Sequence, residues 1–351
     1  MQPFIYNALP SRVIFGFGTL NQVAEEIRTL GCSRALVLTT PQQRAAGERL
    51  AAQLGELAVG LYDNATMHTP VDVTRDALGV VEQTRADCVV ALGGGSTIGL
   101  GKAIALNTDL PQIVIPTTYA GSEATPIIGQ TENGLKTTQR TLKVLPEVII
   151  YDVDLTLSLP AQMTVTSGLN AIAHAVEALY AKDANPLISM LAEQGIAAIG
   201  RALPRIHANP NDSEARSDAL FGAWACGTCL GAVGMSIHHK LCHTLGGSFD
   251  LPHAETHTVV LPHAAAYNAG AAPEAMARIA RALGVDDAPR GLFDLAAKHG
   301  APTSLAQIGM READVPRAVE IACASPYWNP RPIEPAAIRE LLDNAFNGNR
   351  P

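Results

Sequence analysis

The feature that most constrains this chain is the run Cys88-Val89-Val90-Ala91-Leu92, which breaks off abruptly into Gly93-Gly94-Gly95-Ser96. An unbroken apolar run of this length, closed by glycines, reads as a strand covered on both faces, and such strands belong to parallel sheets flanked by helices. Its surroundings agree. Strand-like segments at Arg12–Gly16, Ala35–Leu38 and Ala58–Tyr62 alternate with helical patterns at residues 20–30, 41–54 and 71–85. That alternation predicts a doubly wound α/β domain, with its ligand at the carboxyl ends of the strands.

The glycines sit at such an end. A helix starting near Ser96 would aim its positive terminus at a phosphate, and Gly93, Gly94 and Gly95 would let backbone approach it closely. The dinucleotide fingerprint G-x-G-x-x-G is not met, because Ile98 stands where its third glycine belongs. On spacing alone, a pyrophosphate cradle and a tight turn explain the glycines equally well. After the next apolar run, Thr117, Thr118 and Ser122 offer hydroxyls to a ribose or adenine, although loop hydroxyls also satisfy their own backbone. Thr39 and Thr40 follow the strand at 35–38, where an acidic residue would hold a ribose 2′-hydroxyl. Lys136, on a polar excursion at residues 131–143 that reads as a hairpin, completes the cofactor-binding candidates. From Ala161 onward helical spacing takes over and strand alternation nearly disappears. The expected boundaries are a dinucleotide-binding α/β domain over 1–159 and an all-α domain over 160–351.

The helical half holds an imidazole cluster: residues 238–257 carry five of the ten histidines. His239 and His243 are one turn apart on a helix, as are Asn170 and His174. Gly246-Gly247 is expected to stop the first of these helices, and Pro252 to redirect the chain so that His253 returns toward the same volume. Taken singly, each histidine reads as a hydrogen-bonded core residue. Together they mark a site.

With 351 residues, 47% hydrophobic content and 17% charged residues, the chain can bury two cores. A net charge of −8 argues against nucleic acid, while leaving room for a local basic cluster that attracts carboxylates. No run of about eighteen apolar residues is present, and residues 1–10 lack a secretory pattern, so a cytoplasmic protein away from membranes is expected. Six cysteines do not form a disulfide framework, and the C-x-x-C at Cys226 and Cys229 lies in an apolar stretch where packing explains it.

Over nearly its whole length the sequence resembles the iron-containing alcohol dehydrogenase family. That family's Gly-Gly-Gly-Ser phosphate loop with a following lysine is matched by Gly93 to Ser96 and Lys102, and its threonine-rich adenosine loop by Thr117, Thr118 and Gly121-Ser122-Glu123. The resemblance implies an interdomain cleft where nicotinamide meets a metal held at positions 170, 174, 239 and 253. Here those positions are Asn170, His174, His239 and His253, so the usual aspartate is missing; Gly99 likewise replaces the phosphate loop's usual aspartate. These departures, with Pro252 to His257 and Asn329-Pro330-Arg331-Pro332, resemble the maleylacetate reductase branch. That branch implies NADH, with NADPH also accepted, no metal, a small dicarboxylate substrate and a homodimer.

The chemistry suits such residues. Hydride added β to the ketone of an enone leaves an enolate, which imidazole N–H donors can stabilise in place of a cation, and a histidine can supply the proton that completes the reduction. His243 is the expected donor, with His253 and His174 lining the pocket. Substrate-binding candidates are His239, His257, Lys240 and Asn170, with Arg331 behind them. Rival readings are a metal-dependent alcohol dehydrogenase that tolerates Asn170, a cyclase such as dehydroquinate synthase, and a catalytically silent nucleotide-binding protein.

Overall fold

The computed structural model describes residues 3–132 and 135–351, and only the backbone at 135 and 136. The chain divides into two compact units, residues 8–159 and residues 160–351 with 3–7.

In the first unit the strands and helices are β1 (Arg12–Gly16), α1 (Val23–Thr29), β2 (Ala35–Leu38), α2 (Arg44–Leu54), β3 (Ala58–Tyr62), α3 (Val71–Thr84), β4 (Cys88–Gly93), α4 (Gly95–Thr108), β5 (Gln112–Pro116), β6 (Ile127–Glu132), β7 (Leu135–Arg140) and β8 (Val148–Asp152). Six strands form one parallel sheet in the order β1-β8-β5-β4-β2-β3. The apolar run Cys88–Leu92 lies in β4, which is buried along its whole length. Its alternate residues belong to opposite cores. Val90 and Leu92 pack with Val23, Ile27 and Leu50, whereas Val89 and Ala91 pack with Ala77, Ile98 and Ile104. Each buried Val, Leu or Ile side chain contributes about 1.5–3 kcal/mol by leaving water, which is why an uninterrupted apolar run is needed here. The chain proceeds from β2 outward to β3 but from β4 the other way to β5, so the direction of winding switches between β2 and β4. A doubly wound sheet binds its ligand at such a switch. The polar excursion is a separate antiparallel hairpin of β6 and β7. The side chain of Lys136 falls outside the described residues.

The second unit is helical: α5 (Ala161–Leu179), α6 (Pro186–Ala208), α7 (Ser213–Ala232), α8 (Ile237–Phe249), α9 (His253–Asn268), α10 (Pro273–Leu283), α11 (Ala288–Lys298), α12 (Val315–Cys323) and α13 (Pro335–Asn347). α5 packs against α6, α7 and α9 and is buried on every face from Thr164 onward. A helix enclosed on all sides must be apolar all round, so a polar residue on it has been kept for a purpose or is hydrogen-bonded. α9, buried from Thr256 to Asn268 except at Ala266, shows no amphipathic stripe for the same reason, which hides it from periodicity.

One expectation fails. α8 does not stop at Gly246-Gly247 but runs to Phe249 and ends at Asp250, whose φ of 54° and ψ of 33° are left-handed. Glycine in a helix costs only about 1 kcal/mol, and the burial of Leu245 together with the packing of Phe249 on the core outweighs it. Among the described residues no single helix is long and apolar enough to cross a membrane. Cys226 and Cys229 are free and buried in α7, and burial pushes both thiols up.

Candidate active site

In the α/β unit the expected cofactor residues gather at the winding switch. Gly93 pairs with Pro116 in the sheet, so the turn after β4 and the loop after β5 leave side by side. They touch closely: a Cβ on Gly94 would lie 2.9 Å from Thr118 Cγ2 and 3.0 Å from its Oγ1. A Cβ on Gly93, at φ +156°, would collide with Thr97 Oγ1 and Gln43 Oε1. α4 then begins at Gly95 with no side chain capping its N-terminus, which leaves its positive end for an anion. Gly95 is exposed, while Ser96, Thr118 and Ser122 are half-buried. Gln43 Nε2 donates to Thr117 Oγ1 at 2.9 Å and ties the loops after β2 and β5 together.

Two sequence expectations change here. Thr39 is fully buried, and a Cβ on Gly47 would lie 2.7 Å from its methyl, so it packs beneath α2 out of a nucleotide's reach; Thr40 is the half-buried member of the pair. Lys102 does not face a phosphate. Its ammonium is buried and donates to Ser122 O at 2.6 Å, Thr125 O at 2.7 Å, Thr125 Oγ1 at 2.9 Å and Ile127 O at 2.8 Å, pinning the loop from below. Burial lowers this amine to about 7 and raises the nearby buried Glu123 carboxyl, which accepts from Tyr151, to about 7. The glycine at 99 also has a local reason, since a Cβ there would strike Thr69 Oγ1.

In the helical unit, α5, α8 and α9 each turn histidines toward one another. Asn170, His174 and Glu177 are spaced i, i+4 and i+7 and share one face of α5. His239 and His243 repeat the spacing on α8, and His253 and His257 on α9. His174 Nδ1 and His239 Nε2 are 2.9 Å apart, and His239 Nδ1 lies 2.8 Å from Glu177 Oε2. A second pair joins His238 Nε2 to His257 Nδ1 at 3.0 Å. The His239 and His257 ring centroids are 5.1 Å apart, those of His253 and His257 4.3 Å, and those of His239 and His243 6.2 Å. His253 therefore does return to the cluster.

Burial sorts the cluster. His174, His238, His239 and His257 are buried, His253 is half-buried and His243 is exposed. His238 and His257 are held well below the ordinary histidine range, first by burial and then by the neighbouring imidazoles. Three substrate-binding expectations are thereby corrected. Both ring nitrogens of His239 are already committed, to Glu177 and His174, and none is left for a carboxylate. His257 is 1% exposed and stays neutral near pH 7, so it neither reaches nor attracts an anion. Lys240 is half-buried, with its ammonium directed over the Tyr327 ring, 5.8 Å from the centroid. Arg331 is exposed and stacks on Tyr267, 4.2 Å from the ring centroid, while Asn329 exchanges hydrogen bonds with Asn268, so that motif fastens a loop to α9.

Glu177, absent from the sequence candidates, is the anchor of the cluster. Buried completely, it accepts N–H bonds from Ser236 at 2.8 Å, His238 at 2.8 Å and His239 at 3.4 Å, and so caps the N-terminus of α8 in place of the Ser236 side chain. Its sequence signal was its register, three residues beyond His174 on an apolar helix.

The positions at which the resemblance implies a metal do not suit one. Asn170 brings a neutral amide where an anionic ligand is needed. The two facing nitrogens of His174 and His239 are hydrogen-bonded to each other at 2.9 Å, whereas a tetrahedral ion with bonds of about 2.0–2.1 Å would hold them roughly 3.3 Å apart with both lone pairs turned to it. A different trio, His238, Cys242 and His257, brings ligand-type atoms within 4.8 Å, but its imidazoles bond each other and burial favours the thiol over the thiolate a metal needs. The dinucleotide, in contrast, fits the uncapped helix and the side-chain-free cradle at the winding switch.

Comparison with known proteins agrees with both halves of this description. Residues 10–153 match the profile described as iron-containing alcohol dehydrogenase, and residues 164–346 that of the C-terminal region of the Fe-containing alcohol dehydrogenase family. The chain is 60% identical, over 100% of both chains, to maleylacetate reductase from Rhizobium sp. (strain MTP-10005). The crystal structure of maleylacetate reductase from Agrobacterium tumefaciens superposes with a TM-score of 0.97 at 61% identity, covering 100% of both chains. An iron-containing alcohol dehydrogenase from Corynebacterium glutamicum gives a TM-score of 0.95 at 42% identity, over 99% of this chain and 98% of that one. A parallel sheet with a side-chain-free turn at its winding switch, a helical unit built around an imidazole cluster, and likeness over the full length place this chain in the iron-containing alcohol dehydrogenase family.

Proposed function

We propose that this chain is an NAD(P)H-dependent oxidoreductase that reduces the carbon–carbon double bond of maleylacetate to give 3-oxoadipate, in the breakdown of aromatic compounds. The observation that carries this reading is the full-length likeness to maleylacetate reductases at 60–61% identity. The site supplies its physical reason, for where a metal-dependent relative would gather an ion, this chain has an amide and an imidazole pair bonded to itself. We propose that it works without a metal.

The reduced nicotinamide, when bound, supplies a hydride to the alkene carbon β to the ketone. The turn at Gly93, Gly94, Gly95 and Ser96 and the end of α4 would hold its pyrophosphate, with Thr118, Ser122 and Thr40 beside its riboses. Neither Thr39 nor Thr40 carries a charge that would repel a 2′-phosphate, so NADPH is accepted along with NADH. As negative charge spreads to the ketone oxygen, His243 and His253, the two imidazoles of the cluster that solvent reaches, donate N–H bonds to it. His174 and Asn170 line the same face of α5. A proton delivered to the carbon between the ketone and the hydride acceptor completes the reduction, and a histidine of the cluster supplies it.

The test is NADH oxidation by purified protein, with product identification. Maleylacetate should be turned over with 3-oxoadipate as product, at a kcat/KM at least about 10²-fold above that for simple aldehydes, the scale on which one well-made polar interaction discriminates. Preference for aldehydes would favour a metal-dependent alcohol dehydrogenase. We further propose a cytoplasmic homodimer, supported by the exposed apolar run Phe4, Ile5 and Tyr6. Sedimentation equilibrium should give twice the subunit mass of 36.8 kDa, and a monomer at micromolar concentration would refute it.

A further inference from the structure

A dinucleotide fold commonly holds the ribose 2′-hydroxyl with an acid at the end of its second strand, and at that place this chain has Thr39 and Thr40. An acid comes instead from the neighbouring strand. Leu38 at the end of β2 lies beside Tyr62 at the end of β3, so Asp63 emerges next to Thr39. Two backbone bonds keep it there: Thr39 N–H donates to Tyr62 O at 2.9 Å, and Ala65 N–H to Thr39 O at 3.1 Å. On its other side β2 pairs with β4, Leu38 beside Ala91, which brings Thr40 level with the glycine turn that begins at Gly93. With strands spaced about 4.8 Å apart, Asp63 stands roughly 10 Å from that turn, the scale of a nucleoside.

Asp63 does not stand alone. Arg44, the first residue of α2, donates from Nη1 to Asp63 Oδ2 at 3.1 Å and from Nε to Glu48 Oε1 at 2.9 Å. This end of α2 lies at the cradle, since the preceding residue is Gln43, whose side chain bonds Thr117 and leaves no room for a Cβ on Gly93. A guanidinium has five N–H bonds, and these contacts use two of them. Among the described residues the Nη2 edge of Arg44 and Oδ1 of Asp63 have no hydrogen-bond partner. The Arg44 side chain is 63% exposed and that of Asp63 22%, so a ligand reaches both. An ion pair open to water holds together weakly, and either member changes partner at little cost.

We infer that Arg44 and Asp63 set the choice between NADH and NADPH in this chain: Asp63 accepts from the 2′-hydroxyl of NADH, and Arg44 turns from Asp63 to the 2′-phosphate of NADPH. This rests on the nucleotide reading proposed above, but not on the substrate. Asp63 by itself would hold a ribose hydroxyl and repel a phosphate. Arg44 by itself would favour the phosphate, because its planar fork matches phosphate oxygens two at a time. Paired, each offsets the charge of the other, and neither cofactor is shut out. Glu48 adds a second carboxylate to the group, which tilts it toward NADH.

Substitutions on the two sides of the pair therefore act in opposite directions. Arg44→Gln keeps a side chain of similar reach without the charge, and should cost only ligands that carry a 2′-phosphate. Asp63→Ala removes the acceptor of the hydroxyl and releases Arg44, so it should harm NADH and help NADPH. A change in the general field would look different, because charge removed elsewhere on α2 would then matter as much. Arg49, exposed on the same helix, provides that comparison.

The experiment is isothermal titration of the full chain, without substrate, with NADH, NADPH, 5′-AMP and adenosine 2′,5′-bisphosphate, the last two differing only in the 2′-phosphate. Arg44→Gln should weaken NADPH and the bisphosphate at least about tenfold, the scale of a hydrogen bond to a charged group, and leave NADH and AMP within about threefold. Asp63→Ala should move the ratio of NADH to NADPH affinity toward NADPH by at least about fivefold. Arg49→Gln should leave that ratio within about twofold, and circular dichroism confirms that each variant is folded. Equal changes for both nucleotides in Arg44→Gln or in Asp63→Ala, or a shift of the ratio in Arg49→Gln as large as in Arg44→Gln, would overturn the inference. Wild-type protein that binds neither nucleotide would refute the dinucleotide reading and this inference with it, whereas tight nucleotide binding without reduction of maleylacetate would refute the proposed substrate alone.

Discussion

At the scale of single residues, identity and exposure together decide what each histidine can do. His243 sits on the face of α8 that carries His239 yet is open to solvent, so it can meet a substrate while its neighbour is held by Glu177. The bond proposed for it, to an enolate oxygen, would be made mainly in the transition state. His243→Ala should therefore lower kcat by about 10²–10³-fold with a smaller change in KM, as for other lost oxyanion donors. Steady-state kinetics with maleylacetate, with circular dichroism to confirm folding, checks this; a near wild-type kcat would pass the role to His253. The histidine spacings were legible in the sequence because four residues make one helical turn. Their division into reachable and buried members was not, since that depends on which helix covers which face. His239 and His257 look like carboxylate ligands on paper, and the fold spends them on Glu177 and His238 instead.

Among the elements, the turn from β4 into α4 is where sequence and structure coincide most closely. An apolar run buried on both sides must be a central strand, and the glycines beyond it must then lie at the ligand end of the sheet. What could not be read was why Gly94 lacks a side chain. The space a Cβ would fill is shared with Thr118, from the loop after β5, and only the register of Gly93 with Pro116 brings the two loops together. Gly94→Val should push Thr118 aside and fill the cradle, weakening NADH binding at least about tenfold while leaving the melting temperature within a few degrees. Isothermal titration of the folded variant with NADH measures it, and unchanged affinity would reduce the glycines to a turn. Lys102 shows the opposite case. Its position in the loop pattern suggests a phosphate ligand, but α4 turns it inward, where four oxygens of the next loop surround it. The same averaging over faces hid α9 and the last turn of α8, whose signals come from packing rather than from periodicity or glycine content.

For the whole molecule, the sequence shows two architectures in series, alternating strands and helices followed by helices alone, because the two periods differ and one gives way to the other near Pro160. The chemistry is divided in the same way: the α/β unit offers a dinucleotide cradle and the helical unit an imidazole cluster. In the reaction proposed, this cluster does by hydrogen bonding what a metal does in metal-dependent enzymes. This is most directly tested by measuring the metal content of the purified protein and its NADH-dependent turnover of maleylacetate before and after exhaustive dialysis against EDTA. A metal-free reaction requires far less than one zinc or iron per chain and an unchanged kcat after dialysis; a stoichiometric metal whose removal stops turnover, and whose return restores it, would refute it.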